Sequence, residues 1–153
     1  MTKTIEQMVE EVKQRASDQS SRSDSGYDSR GVEKIVSSDD KKAIAYELKG
    51  STWHRGGTYG GGISNFQGIN ACDGETDLVV SPYGCYRAKY CHDWDIEDIL
   101  SFKHLEGRKY EMQMGNAYFR KTYSVDFEQG NVEKTSEERL KQIVISGPEA
   151  NDW

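Results

Sequence analysis

The chain has 153 residues and a formal net charge of −6, which is length for one domain with short appendages. Leu, Ile, Val and Phe together make up under a fifth of it, so any core is thin, and nine Tyr and three Trp must supply part of the burial. The acidic balance argues against general binding to nucleic acid or anionic membrane, and no run of apolar residues is long enough to span a bilayer.

The start, MTKTIEQMVEEVKQ, has no continuous apolar stretch and does not read as a secretory signal. Three cysteines form no framework spacing, which fits a reduced, cytoplasmic setting, the host cytoplasm for a phage-encoded protein. Residues 4–16 read as a helix: Thr4 and Gln7 make a capping box, and Ile5, Met8, Val9 and Val12 form one apolar stripe. A Ser/Asp/Arg-rich run follows over residues 16–31 and reads as a polar tether. Residues 1–31 are therefore expected to be an arm, dispensable for folding, with Ile5, Met8 and Val12 docking on a partner or a second copy. Within the tether, DSGYDS has the spacing of a phosphodegron, a pattern common by chance in Ser-rich segments.

Residues 32–148 read as the folded domain and 149–153 as an acidic tail. Residues 32–36 suit a short strand. SSDDKKAIAYELKG reads as a helix, with Ser38 as cap, Asp39 and Asp40 at its positive end and Gly50 as its stop. The alternation of Ile44, Tyr46 and Leu48 permits a strand instead. DLVVS and CYRAKYC read as two strands around the turn signal PYG. DWDIEDILSFKH reads as a helix capped by Asp93 or Asp95, with Ile96, Ile99 and Leu100 inward. KYEMQM and AYFRKTYSVDF flank Gly115-Asn116 as a hairpin. A last helix starts at Thr135, with Glu138 completing a capping box. The expected class is α+β: an antiparallel sheet with helices packed on one face, plus the N-terminal helical arm.

Seven of the fifteen glycines lie between Gly56 and Gly74, inside WHRGGTYGGGISNFQGINACDG. Gly57 and Gly62 have the spacing of a phosphate-cradling loop, but Ile63 stands where its lysine is required. Clustered glycine carrying Trp53, Tyr59 and Phe66, with Arg55 beside them, has instead the chemistry of a binding loop: adaptable backbone holding large anchors. Cys72, Cys85, Cys91 and His92 are zinc-ligand types without a paired spacing. Cys72, with His54 or His92 as base, has the residue types of a thiol enzyme.

No cofactor and no metal are expected. The leading expectation is a non-enzymatic factor that binds another protein through the aromatic, Gly-rich loop and the arm, as a phage or mobile-element inhibitor of a host machine would. The alternatives are a small thiol- or metal-dependent enzyme centred on Cys72, and a virion or assembly component whose arm docks on a neighbouring copy.

Overall fold

The computed structural model describes residues 3–24, 26–54, 62–86 and 97–140. Their order is one helix, α1 (Ile5–Gln19), then nine strands: β1 (Ser21–Ser23), β2 (Gly26–Ser37), β3 (Ile44–His54), β4 (Gly62–Cys72), β5 (Asp77–Tyr86), β6 (Asp98–Glu106), β7 (Lys109–Gly115), β8 (Phe119–Asp126) and β9 (Asn131–Arg139). The strands form two antiparallel meanders, a five-stranded sheet in the order β1-β2-β3-β4-β5 and a four-stranded sheet in the order β6-β7-β8-β9. The expected α+β class is therefore wrong: the described chain is mostly antiparallel β, with a single helix.

Three layers result. Side chains alternate across a strand, and β3 is buried on both faces. Ile44, Tyr46 and Leu48 meet Met8, Val12 and Ala16 of α1. Ala45 on the opposite face joins Ile69, Ala71 and Val80 against Ile99, Phe102, Tyr110, Met112, Met114, Val125 and Phe127 of the second sheet. Tyr110 anchors this layer, its ring 5.1 Å from that of Phe102 and 5.5 Å from that of Phe127. Aromatic rings thus supply burial that the scarce leucines do not.

The helix stands as expected, with Thr4 accepting from the Gln7 amide and Gln7 returning a bond to the Thr4 amide. It is not an arm, however. Met8 is fully buried and Val12 almost so, both on the sheet. The polar run after it is not a tether either: residues 21–23 and 26–31 lie in β1 and β2, and the expected boundary at residue 31 falls inside β2.

Residues 38–43 are a turn, where a helix start was expected. Ser38 Oγ donates to Asp40 at 2.6 Å and accepts from the Ala43 amide at 3.1 Å, and Asp40 accepts from the Lys42 amide. The same side chains that suit a helix cap here close a loop between antiparallel strands. Asp39 accepts the His104 amide at 2.7 Å, which occupies a donor of the edge strand β6. The helix expected over 93–104 is β6 in its described part, and the helix expected from Thr135 is β9 as far as Arg139. PYG does not separate two strands: β5 runs through it, with the ladder shifting between Gln67 and Ile69. This irregularity falls on the edge of the sheet, where proline is tolerated. The hairpin at Gly115-Asn116 is present, closed by Asn116 Oδ1 accepting the Tyr118 and Phe119 amides.

Candidate functional site

One end of the five-stranded sheet collects the termini of three strands. Gly26 lies opposite His54, and His54 lies opposite Gly62, so β2 starts, β3 ends and β4 starts at one level. Tyr27 sits opposite Trp53, and their rings stack with centroids 6.3 Å apart and planes 20° from parallel. Both are half-buried. A groove of about 510 Å³ runs beside Tyr27, lined by Ser20, Ser21, Arg22, Asp28 and Ser29. Arg30 holds the strand end in shape, with Nε and Nη2 each 3.1 Å from a carboxylate oxygen of Asp28. The Ser20 hydroxyl accepts the Arg30 amide at 3.0 Å.

Of the residues expected to bind a partner, Trp53 is in this aromatic pair. Phe66 lies in β4 opposite Gly50 and Cys85. Arg55 and Tyr59 lie outside the described residues. Ile5, Met8 and Val12 face the sheet: Met8 and Val12 are core, and Ile5 packs partly buried beside them. Tyr27 was missed, because cross-strand pairing alone brings it to Trp53 and the sequence around it is as polar as a linker.

A second feature lies on the helix side of the same sheet, where α1 covers β2 and β3 and leaves β4 and β5 partly open. Asp77, at the start of β5, accepts from the Tyr46 hydroxyl and from Arg15 of α1. Asn70 Nδ2 reaches the Tyr46 oxygen at 3.3 Å and Asp77 Oδ1 at 3.4 Å. Burial, reinforced by the hydrogen bond to Asp77 and its negative charge, pushes the Tyr46 hydroxyl far above its ordinary range, so it stays a donor. Among the described residues, Asn70 Oδ1 is buried with no hydrogen-bond partner. Arg15, Tyr46, Asn70 and Asp77 carry no local motif; the register of β3, β4 and β5 and the packing of α1 on the sheet assemble them.

Cys72 ends β4, 3% exposed, with the Gly74 amide 3.4 Å from its sulfur. Burial raises its thiol above the ordinary value, and the Asp77 charge adds to this against the opposing Gly74 hydrogen bond. A thiol held protonated is a poor nucleophile. His54 is ten residues along β3 from Ile44, the residue opposite Cys72, which separates them by about 33 Å. Cys85 pairs with Phe66, six residues from Cys72, or about 20 Å along the strand. Neither His54 as base nor Cys85 as co-ligand reaches Cys72. Cys91 and His92 lie outside the described residues. Among those described, no three His, Cys, Asp or Glu are grouped to hold a metal. No helix of the described chain is long and apolar enough to cross a membrane.

The chain matches no protein-family model, no curated protein and no solved structure.

Proposed function

We propose that this chain is a non-enzymatic protein-binding factor whose contact surface is the Tyr27–Trp53 end of the five-stranded sheet, together with the Gly-rich segment that follows Trp53. The observation that supports it is the stacked, half-buried pair at the point where three strands end. Interface hot spots are rich in Tyr and Trp because a large ring ordered by a neighbour contributes area at little cost in side-chain entropy. The pair is pre-ordered on paired strands.

The binding mode we propose is occlusion of a partner's surface, in the manner of an inhibitor. Small size and acidity are the support for a phage or mobile-element factor acting in a host cytoplasm. The test is affinity capture from the source cell with the full chain and with Trp53→Ala, alongside Leu105→Ala on β6 as a remote control. A partner kept by the full chain and the control but lost by Trp53→Ala supports the proposal. A partner kept equally by all three contradicts it.

A further inference from the structure

We draw no further inference here: the strongest candidate, the surface patch of Leu100 and Leu105 that two bulges turn out of edge strand β6, carries none, because nothing in the structure shows what covers it.

Discussion

Met8 decides whether the helix is core or appendage. Its side chain is fully buried in the cluster that includes Val12, Ile44, Tyr46 and Leu48. Met8→Ala removes three heavy atoms from that layer and leaves a void the sheet cannot close, because Ile44 and Tyr46 are fixed by strand pairing on both sides. Substitutions of this kind cost about 2–5 kcal/mol. With a urea m-value of about 2 kcal/mol/M, a loss near about 3 kcal/mol lowers the midpoint by about 1.5 M. Glu10→Ala, on the exposed face of α1, should stay within about 0.5 kcal/mol. The assay is urea unfolding of both variants followed by circular dichroism. If Met8→Ala moves the midpoint no further than Glu10→Ala, α1 is not part of the core and the three-layer arrangement is wrong.

Other consequences follow from particular contacts. A Cβ on Gly115 would stand 2.3 Å from the Phe119 carbonyl oxygen, whereas one on Gly31 meets nothing within 4 Å; Gly115→Ala should cost about 1–3 kcal/mol and Gly31→Ala close to nothing, as read by thermal midpoints. Burial would raise the Asp40 carboxyl, but hydrogen bonds from Ser38, Tyr110 and the Lys42 amide outweigh it and hold it below the ordinary carboxylate value. A carboxylate depressed on folding stabilises above its unfolded value and loses that contribution as pH falls through its folded one. The stability gap between the native chain and Asp40→Asn should therefore narrow between pH 6 and pH 3, and a constant gap in urea midpoints would contradict it. In a Cys85→Ser/Cys91→Ser background, Cys72 should react with a disulfide reagent only after denaturant is added, because its thiol is covered and protonated; rapid native labelling would revive the thiol-enzyme reading.

The helix was legible because its signals are local: a capping box and an apolar stripe in one stretch of chain. The strands were obscured by identifiable features. On β6 the ladder pairs Ile99 with Met114 and Ser101 with Gln113, so Leu100 is an extra, bulged residue. The bulge moves the next buried side chain to Phe102 and turns a two-residue period into a spacing of three, which reads as helix. A second bulge at Leu105 has the same effect, and both leucines are left exposed. On β3 the alternation of Ile44, Tyr46 and Leu48 was the correct signal, but Ala45 and Glu47 are also buried, and the acidic turn before it imitates a helix start. Strand β9 is exposed along nearly its whole length, so no apolar period marks it, and its charges suit an unpaired edge. Trp53 was legible as an anchor from residue type alone. Its partner Tyr27 depends on the register of a whole sheet, and the meeting of Arg15 with Asp77 across sixty-two positions on how α1 docks against it.

The central functional claim is that the Tyr27–Trp53 pair carries partner affinity. Its most direct test is the dissociation constant of the captured partner, measured by calorimetry for the native chain and for Trp53→Ala, with matched circular dichroism spectra as proof of folding. The expected loss is about 2 kcal/mol, roughly thirty-fold in affinity. An unchanged constant for a folded Trp53→Ala would contradict it and place the contact elsewhere on the molecule.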